Sequence, residues 1–200
     1  MKKVLTGSIV LLALLAAAGA WGEETVLRVA QVADISNLDP HKMNDIYTAN
    51  VTKQIFNNLV KMNKDMEIQK DLADGWENPD AQTWIFHLKK GVKFHNGEEF
   101  TANDVKFSLE RVLDPKIASP GKRLVSELQK VEVVDRYTVR LVTQQPFAPL
   151  LTNLTRYEMA MLNEKAVRAA GDDFGKYPVG DRPLPVQGAP PWGQGNPKSL

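Results

Sequence analysis

The chain reads as a mixed α/β protein, and three observations predict it. Residues 84–88 (Trp-Ile-Phe-His-Leu) alternate bulky, β-prone side chains, and residues 131–142 hold two β-rich runs around an Asp135-Arg136 turn, the pattern of strands and hairpins. Residues 45–62 repeat apolar side chains at Tyr47, Val51, Ile55 and Leu59, widened by Phe56 and Val60, which is the stripe of an amphipathic helix. Thr101 is followed by Asp104 at the third position on, then by Val105, Leu109 and Val112, so a capping box opens a second helix with one apolar face.

Taken in order, the chain begins with a secretory pattern. Met1-Lys2-Lys3 is basic, residues 9–18 are an apolar run of ten, and Ala18-Gly19-Ala20 fits small-residue cleavage after Ala20. As a helix that run spans ~15 Å, half of what a membrane anchor needs. Residues 1–20 are therefore expected to be a signal peptide. Residues 26–32 read as the first strand, followed by a turn-rich loop, Asp34-Ile35-Ser36-Asn37-Leu38-Asp39-Pro40-His41.

The helix over 45–62 is expected to be capped by Asn44 or Asp45, with a hairpin over 60–69 turning at Asn63-Lys64-Asp65. Strand 84–88 is expected to turn at Lys89-Lys90-Gly91 and pair with residues 92–94. Asp114-Pro115 ends the second helix. Beyond it the pattern predicts a short helix over 122–130, the hairpin over 131–142, a helix over 147–154 and a strand over 157–162. A last helix over 164–170 is capped by Asn163 and closed by Gly171. Residues 178–200 hold 6 of the 12 prolines and 4 of the 13 glycines, which predicts a tail without regular structure.

Composition narrows the chemistry. With 200 residues there is room for one or two compact domains. Removing the leader, which carries Lys2 and Lys3, leaves 23 basic against 24 acidic residues, so no basic surface argues for nucleic acid. The chain has no cysteine, which rules out disulfides, thiolate metal sites, a cysteine nucleophile and lipidation of an N-terminal cysteine. His41, His87 and His95 lie apart from one another and read as surface or turn residues, so no metal is expected. The adjacent pairs Glu98-Glu99 and Asp172-Asp173 read as solvated turns. No nucleophile sits beside a base and no phosphate-binding loop is present. Neither catalysis nor a cofactor is predicted.

The stretch 72–105 carries more than shape. Leu72, Ala73 and Trp76, then Gly91, Val92, Phe94, His95, Gly97, Phe100, Ala102, Asp104 and Val105, closely resemble the signature of the family 5 extracytoplasmic solute-binding proteins. These are the binding components of ABC importers for dipeptides, oligopeptides and nickel. Residues 131–142 and the prolines Pro146 and Pro149 are similar to a later segment of that family. The resemblance covers roughly residues 25–180.

It implies a periplasmic-binding-protein-like type II fold, present here as its N-terminal part. Residues 21–44 would be the first strand and cleft loop of the ligand lobe, 45–177 an accessory αβ domain with a return segment, and 178–200 the tail. It also implies capture of a peptide-like solute in the periplasm and delivery to an ABC permease in the inner membrane, without catalysis. Asn37, Leu38, Asp39 and Pro40 are the implied ligand-binding residues, although Asp39-Pro40 is also what begins an ordinary turn. Family members are more than twice this length, so the chain is expected to be truncated and to bind solute weakly or not at all. The alternative is an autonomous exported interaction domain with no solute.

The resemblance stops at Gly180. Where the family continues Thr-Gly-Pro-aromatic, this chain has Asp181-Arg182-Pro183-Leu184. Back-translated with permitted codons and read one base later, residues 181–188 give T-G-P-F-R-F-K-E. The codons permit a shifted reading frame after Gly180, the alternative is a natural Pro-rich terminus, and the gene's base sequence across that codon decides between them.

Overall fold

The computed structural model describes residue 35 and residues 37–182. The expected signal peptide, the first strand over 26–32 and most of the tail lie outside these residues.

Helix α1, Ile46–Ile55, starts where Asp45 accepts a hydrogen bond from the Thr48 N–H at 2.8 Å, an N-cap that satisfies one otherwise unpaired donor. It is shorter than its apolar stripe predicts. Thr48, Ala49, Thr52 and Ile55 form the buried face, while Tyr47 is exposed. Leu59 and Val60 reach the core from extended chain. The chain leaves the helix at Phe56, whose backbone is extended, just before Asn57 and Asn58. The Asn58 side chain donates to the carbonyls of Leu154 (2.9 Å) and Arg156 (2.6 Å), contacts that a continuing helix could not make. Strands β1, Val60–Met62, and β2, Ile68–Lys70, form the expected small hairpin. Its turn is held by Asn63 Oδ1, which accepts from the N–H groups of Asp65 and Glu67, both at 2.9 Å.

The main sheet has four antiparallel strands: β3 (Ala73–Asp80), β4 (Thr83–Leu88), β5 (Leu128–Asp135) and β6 (Thr138–Thr143), in the order β3-β4-β6-β5. This corrects the expected partner of β4. Residues 92–94 form no strand, and Lys93 makes only an isolated bridge to Glu99. β3 takes the place instead, with Trp76 opposite Phe86. Its Gly75, Asn78 and Pro79 suit an edge strand, where a missing N–H costs no ladder bond.

Helix α2, Ala102–Leu113, lies against the sheet. Thr101 and Asp104 form the expected cap, the Thr101 N–H donating to Asp104 Oδ2 at 2.9 Å. Val105, Leu109 and Val112 are fully buried together with Phe86, Val139 and Leu141. At about 25 cal/mol per Å² of apolar surface, this layer is the main source of cohesion.

The C-terminal part is less regular than predicted. Residues 122–130 are not a helix: a tight turn over Pro120–Leu124 leads directly into β5. Residues 157–162 are not a strand either. One turn, Tyr157–Met159, is followed by extended chain whose donors go elsewhere, Met161 N–H to Asn57 O and Leu162 N–H to Ser108 Oγ, each at 2.9 Å. Helices α3, Leu150–Asn153, and α4, Glu164–Ala170, fall inside their predicted ranges. The Asn163 side chain caps α4, accepting from Ala166 N–H at 2.9 Å. Residues 178–182, the head of the expected unstructured tail, lie against the body, with Val179 only 1% exposed. Among the described residues no helix is long and apolar enough to cross a membrane.

Candidate functional site

The loop over residues 37–41 is shaped by its own short polar side chains. Asn37 Oδ1 accepts from the Asp39 N–H at 2.8 Å, and Asp39 Oδ1 from the His41 N–H at 3.1 Å, local turns that these residue types favour. Leu38 N–H donates to Gly175 O at 2.7 Å, tying the loop to the turn Gly171–Gly175. A Cβ at Gly175 would stand 1.7 Å from Asn37 Oδ1, so a larger residue there would displace the side chain that shapes the loop.

Beneath the loop is a buried ion pair. Arg111, in the last turn of α2, holds the Asp39 carboxylate with two hydrogen bonds, 3.0 Å from Nη1 and 2.6 Å from Nη2. Both side chains are nearly sealed, at 3% and 7% exposed. Burial pushes the Asp39 carboxyl up. The hydrogen bonds and charge of Arg111, helped by His41, outweigh that and hold it below the usual carboxylate range.

His41 is fully buried, against the expectation of a surface or turn histidine. Its Nε2 lies 2.9 Å from Ala160 O, and a carbonyl only accepts, so Nε2 carries the proton. Burial first, then the charge of Arg111, pushes the ring down to about 4. The imidazole is therefore neutral and the cluster holds one cation and one anion.

Of the four predicted residues, Asp39 and Pro40 are buried, and Asn37 and Leu38 are half-buried. A few residues past the ion-paired loop, the chain turns outward. Ile46 is 63% and Tyr47 38% exposed on the first turn of α1. Sequence reasoning missed Arg111 and His41. One signal was available for Arg111, which stands one turn on from Ser108 and two turns on from Asp104, on the flank of the apolar stripe. A charge on a buried stripe needs a partner. Among the described residues no three His, Asp or Glu side chains converge as a metal set.

The model of the bacterial extracellular solute-binding proteins, family 5 (middle region), matches residues 67–183, more than half of the chain. The chain belongs to this family. The glutathione-binding protein GsiB of Salmonella typhimurium is 33% identical over 160 residues, which are 80% of this chain and 31% of that protein. Two solved structures extend the likeness. AgaA of A. tumefaciens R10, in complex with agropinic acid, has a TM-score of 0.72 and 32% identity over 76% of this chain and 31% of its own. DppA of Helicobacter pylori, in complex with the peptide STSA, has a TM-score of 0.69 and 32% identity over 76% of this chain and 34% of its own. The chain thus has part of the type II periplasmic-binding-protein fold, and it spans about a third of the length of the curated relatives it matches.

In this family 5 chain six of the signature residues are packing residues, while Gly91 and Gly97 serve exposed turns with positive φ. Leu72, Ala73, Phe94, Phe100, Ala102 and Val105 are each at most 3% exposed. The Phe94 and Phe100 rings meet edge-on, 6.0 Å between centroids. The signature identifies the family through its core, and its buried side chains are out of reach of any solute.

Proposed function

We propose that this family 5 chain supplies one wall of a solute cleft in an exported binding protein that captures a peptide-like solute and delivers it to an ABC permease. One observation carries the reading: the buried Asp39–Arg111 pair fixes residues 37–41, while Ile46 and Tyr47, directly beyond, stay exposed. An apolar pair standing off a rigid anchor is how a cleft wall meets a ligand with few ordering costs. In this reading Asn37 and Leu38 face the solute, and Asp39 and Pro40 set the loop's course. The names of the relatives, glutathione-binding for GsiB and a bound peptide for DppA, support a peptide-like solute. The relatives are solute-binding proteins, and catalysis has no role in the proposal. The basic and apolar leader over residues 1–20 supports delivery to the periplasm.

A single wall cannot remove most of a ligand's surface from water. The charge of the loop is moreover already committed to Arg111. Residues 21–200 alone are therefore expected to give no saturable heat with glutathione or short peptides in titration calorimetry. Saturation at micromolar peptide would overturn the one-wall reading. The family role is tested by a chimera with residues 35–182 in place of the matching third of GsiB. Retained glutathione binding supports it, and loss of binding in a folded chimera sinks it. An interaction domain without a solute would use the same exposed Ile46 and Tyr47 on a protein partner. Capture of a defined partner that Ile46→Asp abolishes would favour that second reading.

A further inference from the structure

Residues 178–182 are held by contacts that read the protonation state of one histidine. The His95 backbone N–H donates to Gly180 O at 2.8 Å, and the Gly180 N–H donates back to His95 Nδ1 at 3.2 Å. The other ring nitrogen, Nε2, meets the carbonyl oxygen of Arg182. A carbonyl can only accept, so Nε2 must carry a hydrogen. Nδ1 receives an N–H, so it must be bare. The two partners together admit the neutral Nε2–H tautomer and exclude both the other tautomer and the imidazolium.

The rest of the groove selects the segment by shape and by polar contacts that do not depend on the ring. A Cβ at Gly180 would lie 2.0 Å from Ile55 O, so the backbone passes where no side chain fits. Ile55 O, at the end of α1, accepts from the N–H groups of Asp181 and Arg182, both at 3.1 Å. Asn57 donates to the two Asp181 carboxylate oxygens at 2.9 and 2.8 Å and accepts from Arg182 Nε at 2.7 Å.

We infer that His95 is a proton-sensitive clasp on residues 178–182, a positioning residue that holds Gly180 as the neutral Nε2–H tautomer and loosens that hold when the ring takes a second proton. The added proton on Nδ1 would point at the Gly180 N–H, donor against donor, and the acceptor that Gly180 needs would be gone. The charged groups around the ring do not substitute for it. Asp181 and Arg182 are engaged by Asn57. Asp71, close to Asp181, pairs with Lys61 at 3.6 Å. Glu98 pairs with Lys165 at 2.8 Å beyond the turn. Burial pushes the Asp181 carboxyl up, against the pull of its hydrogen bonds from Asn57, so Asp181 is a second group on the segment that gains a proton on acidification, and Asp181→Asn separates its effect from that of His95. The inference stands on the segment's geometry and not on the solute reading, so a failed calorimetry result leaves it untouched.

The test is amide hydrogen exchange of the full chain by NMR, at about pH 8 and about pH 5 on either side of the ordinary imidazole range, each rate corrected for its intrinsic value. The expected result is that protection of Gly180, Asp181 and Arg182 falls about tenfold at the lower pH, the worth of one lost hydrogen bond, while Leu141 in the sheet is unchanged. His95→Asn, whose side chain offers an acceptor and does not titrate, keeps protection constant across the range. Asp181→Asn keeps the step. Unchanged protection at Gly180 in the native chain, an equal fall in His95→Asn, or loss of the step in Asp181→Asn overturns the inference. If His95→Asn does not fold by circular dichroism, nitrogen-15 spectra of the native imidazole decide. An Nε2–H ring at about pH 8 is expected, and an Nδ1–H ring overturns the clasp.

Discussion

Two segments from opposite ends of the described chain lie on the same body, and they are held by different chemistry. Residues 37–41 are fastened by a full ion pair, Asp39 with Arg111, sealed from water beside a neutral imidazole. Residues 178–182 are fastened by hydrogen bonds to His95, to Asn57 and to the Ile55 carbonyl, in a groove that is partly open. A buried charge pair is all or nothing, because losing one member strands the other in a low-dielectric interior. A clasp built on a tautomer is graded, because one proton removes a single hydrogen bond and the charge it adds to the ring sits in a groove that water partly reaches. The first suits a loop that must keep one shape and the second a connection that can loosen.

The sharpest way to break this contrast is Arg111→Met. With Asp39 left unpaired, unfolding in urea should show a loss of about 3–5 kcal/mol. A loss below about 1 kcal/mol, the range of exposed pairs, would mean that water reaches Asp39 and that the two segments are held alike. The next effect is a pH dependence. The His41 ring titrates at about 4 in the folded chain against 6.5 for its ordinary value. The unfolded chain therefore binds more protons between these values. This contribution is fully present above the ordinary value, is lost as the pH falls, and loses no more below about 4. The whole step is roughly 3 kcal/mol, and His41→Phe should flatten it in urea titrations at stepped pH.

Gly180→Ala comes next, at roughly 2 kcal/mol, since the new methyl meets backbone at Ile55 and something must shift. The melting temperature should fall, and exchange should quicken at residues 178–182 more than at 37–41. The smallest effect is expected at the periphery. Lys165 and Glu98 are well exposed, so Lys165→Ala should cost less than about 1 kcal/mol and shrink further in salt.

Local signals made part of this fold legible. Thr101 with Asp104, Asn163 with Gly171, and the turns at Asn63 and Asp135 each announce an element through short-range chemistry, and each stands where the sequence put it. Elements set by distant partners were not legible. β3 contains Gly75, Asn78 and Pro79 and looks like loop until β4 is beside it. α1 stops at Ile55 because Asn58 is needed by carbonyls nearly a hundred residues away. The loop over 37–41 was visible as turn chemistry, but the partner of Asp39 lies 72 positions on. A stretch rich in proline and glycine likewise gave no sign that Asp181 and Arg182 would find Asn57.

The edge strand has a consequence for the crowd in which this chain would fold. Among the described residues β3 and β5 end the sheet, and each leaves a row of backbone groups without a neighbour in it. Such a row invites a second molecule to add its own strand. On β3 that invitation is withdrawn three times over. Pro79 lacks a donor, Asp74, Glu77 and Asp80 place acid along the strand, and the register breaks after Ala73 and again after Glu77. Two copies meeting edge to edge would set carboxylates against carboxylates with no continuous ladder to hold them. The same irregularities that hide β3 from a reader of the sequence keep it from becoming the seed of an aggregate.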